Sequence, residues 1–355
     1  MADTMKLNWA FWRRDPYVTP TAGPTRWTKR AGMGVAAVVG AYVVGVVATG
    51  WWWSYEPNTF DPVAAAAERA AETNVKPVTG YTTATTVVRL AETLLDKRGG
   101  YLANDLFPPG VYLDNVPNWE FGVLVHLRDM SRALRNDLSR SQSQSAEDPD
   151  LVAAQGHLFF DNASWIFPAS EDEYRDAASS IANYAQRLTD PGRETTQFYA
   201  RADNLSRWLD EVDRRLGDIS QRLSQSVGKR QLNIDLVGDP SATTATDVPA
   251  DTMTRTSWFK IDDVFFEARG QTWALIHLLK AVEHDFGTVL DDKNARVSLR
   301  QIIRELEGTQ EPIWSPLILN GGGFGFLANH SLVMASYISR VNAALTDLRD
   351  LLDKG

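Results

Sequence analysis

Residues 31–53 read AGMGVAAVVGAYVVGVVATGWWW, from Ala31 to Trp53, without one formal charge. A helix rises about 1.5 Å per residue, so this run exceeds the roughly 30 Å of hydrocarbon in a bilayer. A core helix of a soluble protein rarely runs this far without a polar face. Lys29 and Arg30 precede the run, and Trp51, Trp52, Trp53 and Tyr55 close it. Amphipathic rings favour the headgroup level, and basic residues stay on the inner side. The expectation is an uncleaved signal anchor in a cell inner membrane. Residues 1–30 form a cytoplasmic basic tail, 31–53 a transmembrane helix, and 54–355 a periplasmic domain. A cleaved signal peptide fits less well. Its positive region and apolar run would both be too long, and the run ends in tryptophan rather than a small-x-small site.

Two stripes of small residues run along the span: Gly32, Ala36 and Gly40, and Ala37, Ala41, Gly45 and Thr49. Spacing by four places each stripe on one face, where a second helix can approach closely. Valine- and alanine-rich spans also contain such stripes by chance. Inside, the tail mixes Trp9, Phe11, Trp12 and Trp27 with its basic residues, a composition suited to lying on headgroups.

Charge divides sharply along the chain. Residues 1–30 hold six basic and two acidic residues, a net of +4, whereas the whole chain is −9. With 31–53 neutral, everything from Ser54 onward sums to −13. So acidic a domain is a poor partner for nucleic acid, whose phosphates repel it. There is no cysteine, which excludes thiol chemistry, iron–sulfur clusters and Cys-ligated zinc.

The outer segment reads as all-α, a multi-helix bundle. Asp61-Pro62 opens a helix that ends near Asn74, and a second covers about Thr82–Lys97. Gly99 to Trp119, GGYLANDLFPPGVYLDNVPNW, lacks helical period but is rich in Leu, Phe, Tyr and Val. A loop with that much apolar surface is expected to pack onto something, as a clasp or a functional surface. Helices follow at about 118–140, 151–160 and 170–188, the last with Ser170 as its cap and Glu171, Asp172 and Glu173 in its first turn.

The strongest period is Phe198, Ala202, Leu205, Leu209, Val212, Leu216, Ile219 and Leu223, in alternating steps of four and three. That is a coiled-coil-like seam. Asp203/Arg207, Asp210/Arg214, Glu211/Arg215 and Asp218/Arg222 add acid-before-base pairs at i, i+4. A salt-bridged bundle helix is the plain reading, and a dimerising 198–223 helix the alternative. Residues 238–256 read as a surface connection, with strand character only at 232–237. Helices at about 257–286, 295–307 and 329–353 complete the chain, with a flexible turn at Asn320–Phe326.

The stretches GGYLANDLFPPG, DNVPNWEFG, DLSRSQSQSAEDPDL, SWIFPASEDEY and FYARADNLSRWLDEVDRRLGDISQRL resemble an uncharacterised proteobacterial inner-membrane family, a domain of unknown function. The resemblance implies one N-terminal membrane helix and a helical outer domain, and brings no functional residue with it.

No motif carries chemistry. His277 and His284 are seven apart, about 10.5 Å along a helix, whereas helical zinc pairs need i, i+4 spacing. Gly321-Gly322-Gly323 lacks the Lys-Ser/Thr of a P-loop. Neither a metal nor a cofactor is expected. The favoured function is a non-enzymatic scaffold, assembly factor or accessory subunit of a cell-envelope complex. Its partners would be the bilayer and a protein met through the membrane helix or the 198–223 helix. Two alternatives stay open. One is a binding module for a small ligand or cell-wall fragment, drawn from Asn104, Asp105, Asp114, Asn115, Trp119, Glu120 and Asn329. Its motive is that Gly100-Tyr-Leu-Ala-Asn104 and Gly325-Phe-Leu-Ala-Asn329 are alike, so the two loops would share one pole of the bundle. The other is an envelope hydrolase working through a carboxylate pair, for which Asp105 and Glu120 are the nearest candidates.

Overall fold

The computed structural model describes residues 26–141, 146–190, 192, 196–232, 251–315, 317–322 and 325–354. The tail up to residue 25, and residues 233–237 of the strand expected over 232–237, lie outside them. The chain divides into two units between Thr49 and Gly50. Helix α1, Arg26–Trp53, supplies the first and ends in the second; its 24 residues Arg30–Trp53 are long and apolar enough to cross a membrane. Among the described residues, a Cβ added at Gly32, Gly40 or Gly45 would meet nothing within 4 Å.

The second unit is a helical bundle: α2 Pro62–Glu72, α3 Tyr81–Asp96, α4 Asn115–Ala133, α5 Pro149–Leu158, α6 Ser170–Leu188, α7 Ala202–Ser224, α8 Ile261–Asp285, α9 Gly287–Asp292, α10 Arg296–Glu307 and α11 His330–Lys354. The central pair is α4 with α8. Gly122 and Gly270 let their backbones nearly touch, so even one methyl would collide with the facing helix. Trp119 and Trp273 flank that crossing, 5.1 Å apart.

Ion pairs fix helix directions. Arg207 with Asp137 and Arg215 with Asp129 set α7 antiparallel to α4. Asp285 accepts from the Thr83 amide and hydroxyl, both at 2.7 Å, at the start of α3. The Ser220 and Ser339 hydroxyls meet at 2.8 Å and Arg349 pairs with Asp210, so α11 runs against α7. The four i, i+4 pairs of α7 all form. Its seam, Leu205 to Leu223, is buried inside this chain, largely beneath α11.

The bundle therefore has two poles. At the far pole, Phe198 meets Phe286 at 5.7 Å and the Tyr199 amide donates to the Leu138 carbonyl. The near pole collects the last turn of α1, the loop before α4, and the starts of α6, α8 and α11.

Four details differ from expectation. α4 begins three residues early, because Asp114 rather than a later residue caps it. Ala169, not Ser170, is the N-cap of α6; the Ser170 hydroxyl instead donates to the Asp161 carbonyl. Residues 251–254 form a strand, paired antiparallel with Lys229–Leu232, where a plain connection was expected. The loop before α4 packs down only in part: Tyr101 and Leu102 are buried, but Leu106, Phe107, Val111 and Tyr112 stay exposed.

Candidate functional site

The near pole is built around the point where the chain enters the bundle. A Cβ at Gly50 would lie 3.3 Å from the Pro109 side chain, so the loop before α4 sits against this last turn. Trp53 fits over Gly99, where a Cβ would come within 2.7 Å of the indole; Gly99 also has φ +85°, a conformation glycine adopts without steric cost. The Arg98 guanidinium lies 4.4 Å from the Trp52 ring centre and 5.3 Å from that of Tyr55. Glu56 then forms a fork with Arg269 of α8 at 2.7 Å. Arg269 also donates to the carbonyls of Thr309 and Glu311. Phe60 stacks on His277 at 4.1 Å, and its amide donates to His277 Nε2 at 3.0 Å. Because Nδ1 donates to the Trp273 carbonyl, the ring is a neutral tautomer, and burial lowers its pKa to about 4.

The candidate ligand residues fall into three groups. Glu120 is fully buried and paired with the Lys97 ammonium; its carboxylate accepts from the Leu102 and Ala103 amides at 2.8–3.2 Å. Burial raises its pKa to about 7 against the opposing pull of Lys97 and those amides. Trp119 is fully buried in the helix crossing, and Asn329 bonds to Asn320 and Gly321 and accepts from the Leu332 amide. These three side chains hold local structure. Asn104 donates to the Ser164 carbonyl and to Glu171, joining the loop before α4 to the start of α6. Burial raises the pKa of neighbouring Asp105, with Glu171 adding to it. Asp114 caps α4.

Asn115 lines a cleft. It is a cavity of about 650 Å³ whose walls include Asp262, Phe266, Arg269, Gln310 and Ile318. Among the described residues the Asn115 amide oxygen and one Asp263 carboxylate oxygen are buried without a hydrogen-bond partner. The two Gly-aromatic-Leu-Ala-Asn turns do share this pole. Asn320 donates to the Ser226 carbonyl at the end of α7, and His330 lies 6.3 Å from Phe265 at the start of α8. The cleft wall takes Gln310, Pro312, Ile313, Ser315, Leu317 and Ile318 rather than the 325–329 turn itself. Lys97, Arg269 and Asp262 were missed in the sequence. The one available signal was Arg269, the only Lys or Arg between Lys260 and Lys280 of a long helix. Among the described residues, no cluster of three or more His, Asp or Glu could hold a metal ion.

A family described as an uncharacterised protein conserved in bacteria, DUF2333, matches residues 26–355. The chain belongs to the DUF2333 family. The span matched to DUF2333 takes in α1 as well as the whole bundle. No curated protein and no solved structure matches the chain. Within this DUF2333 member the buried charges are engaged in joining segments: Lys97 with Glu120, Arg215 with Asp129, Arg222 with Glu267, and Arg269 with Glu56.

Proposed function

We propose that this chain is a single-pass inner-membrane protein whose bundle stands in the periplasm as a non-enzymatic scaffold, assembly factor or accessory subunit of an envelope complex. What supports the anchor is the way the last turn of α1 is built into the bundle. Trp53 fills the space over Gly99, Arg98 covers Trp52, and Glu56 pairs with buried Arg269. Removing a leader before Ser54 would strip the indoles from these contacts, whereas an uncleaved anchor keeps them. The scaffold role is supported by buried charges spent on joining helices and loops.

Membranes washed with alkaline carbonate test the anchor. The reading expects the protein to stay in the pellet with its mass including residues 1–53. Release by carbonate, or a chain starting beyond Trp53, contradicts it. Crosslinking in intact cells tests the scaffold role, which expects envelope proteins among the products and fails if only the monomer is recovered.

The cleft beside Asn115 favours a second reading, a binding module for a small ligand. Its test is a screen of cell-wall fragments for a shift in melting temperature that Asn115→Leu abolishes.

A further inference from the structure

Most of the strongly exposed aromatic side chains of the bundle lie on loops at the near pole. Phe107 and Tyr112 extend from the loop that touches Gly50, Trp165 and Phe167 from the loop before α6, Phe259 from the turn before α8, and Trp314 from the loop before α11. Phe167 is 91% exposed, Phe259 86% and Trp314 93%. The loops are neighbours. Phe107 and Trp165 pack edge to face at 5.9 Å, the 650 Å³ cleft joins Ser54 to Asp262 and Ser315, and Asn104 ties the first loop to the second. Outside α1, Tyr55 and these loops, Phe159 is the other exposed aromatic among the described residues, and it lies under Arg128 and Arg132.

We infer that this pole is a second membrane-contact surface, seated in the interfacial layer of the bilayer that α1 crosses. The inference rests on the anchor reading. Two observations choose lipid over a protein partner. The aromatic pole is continuous with the Trp51–Tyr55 girdle, because its first loop packs on Gly50 at the end of the apolar run. Its rings also come from four different loops rather than from one helix face, and Trp, Tyr and Phe are the residues that settle at headgroup level. An exposed apolar surface of this kind marks an interaction site rather than ordinary surface.

The chain has no cysteine, so single cysteines can carry an environment-sensitive fluorophore. Phe167→Cys, Phe259→Cys and Trp314→Cys report on the pole. Val297→Cys, 78% exposed near the opposite pole, is the control. Each full-length variant is reconstituted in phosphatidylethanolamine–phosphatidylglycerol vesicles and checked for carbonate resistance. The expected result is blue-shifted emission at the three pole positions, quenched by doxyl lipid and shielded from iodide, with the reverse at position 297. Iodide quenching at all four positions in a carbonate-resistant protein overturns the inference and leaves the anchor standing. Shielding from iodide without doxyl quenching means that protein, a second copy included, covers the pole, and also overturns it. Release by carbonate removes the anchor and the inference together.

Discussion

Gly122 of α4 lies against the backbone of Glu267 in α8 so closely that any side chain would overlap the Glu267 carbonyl oxygen. Gly270 makes the reciprocal approach to the Trp119 carbonyl. This crossing holds the two central helices together, and both obstructions are backbone, which cannot rotate away. Gly122→Ala is expected to cost about 3 kcal/mol, at the upper end for overpacking a core. Urea unfolding followed by far-UV circular dichroism measures it; a loss under about 1 kcal/mol would show that the helices separate easily.

Glu120 is the fastening of the loop before α4. Glu120→Ala leaves the Lys97 ammonium buried without its carboxylate and strands the Leu102 and Ala103 amides. Breaking one side of a buried ion pair costs about 3–5 kcal/mol. The expected variant is strongly destabilised, and limited proteolysis should cut it first within residues 99–114. An unchanged cleavage pattern would mean the loop is held by its apolar contacts alone.

Acid should weaken the fold through two histidines. Burial lowers the pKa of His126 and of His277 from 6.5 to about 4. Between these values the unfolded chain binds protons that the folded chain refuses, so stability falls as pH drops from about 6.5 to about 4. Glu120 acts in the opposite sense. Its raised pKa means the folded chain keeps a proton longer, so its contribution declines as pH rises from about 4.5 to about 7. Comparing variants separates them. Among the described residues neither ring nitrogen of His126 has a hydrogen-bond partner, so His126→Leu should gain about 1–2 kcal/mol and flatten the acid limb. Chemical denaturation at pH 7 and pH 5 checks this, and an equal slope in both proteins would contradict it.

Arg269 joins the chain's entry to the bundle. Arg269→Met is expected to cost about 3 kcal/mol, because Glu56 loses its fork and two carbonyls lose their donor. Glu56→Gln should cost less, since the carbonyl contacts survive. Thermal melts of the two variants compare them; equal losses would mean the carbonyl contacts contribute nothing.

The helices were largely legible because burial imposes a period. The seam from Leu205 to Leu223 and the acid-base pairs beside it read directly from spacing. The polar run Tyr81-Thr82-Thr83-Ala84-Thr85-Thr86 hid a buried face. Its hydroxyls bond back along the helix, as Thr86 does to the Thr82 carbonyl at 2.6 Å, or across to Asp285. The hairpin joins Lys229–Leu232 to Asp251–Thr254 across a long connection, which no local pattern announces. Composition marked the loop before α4 as apolar, but which of its side chains would stay outside depends on where the chain enters at Gly50. The Asn115 cleft is likewise assembled from segments more than two hundred residues apart, beyond any local signal.

The most direct test of the account is which side of the membrane holds the bundle. Asp3→Cys in the tail and Val297→Cys in the bundle give two single-cysteine proteins for labelling by a membrane-impermeant maleimide in intact spheroplasts. The account predicts that Val297→Cys reacts at once, and that Asp3→Cys reacts only after the membrane is permeabilised. Immediate labelling of Asp3→Cys with Val297→Cys protected would contradict it.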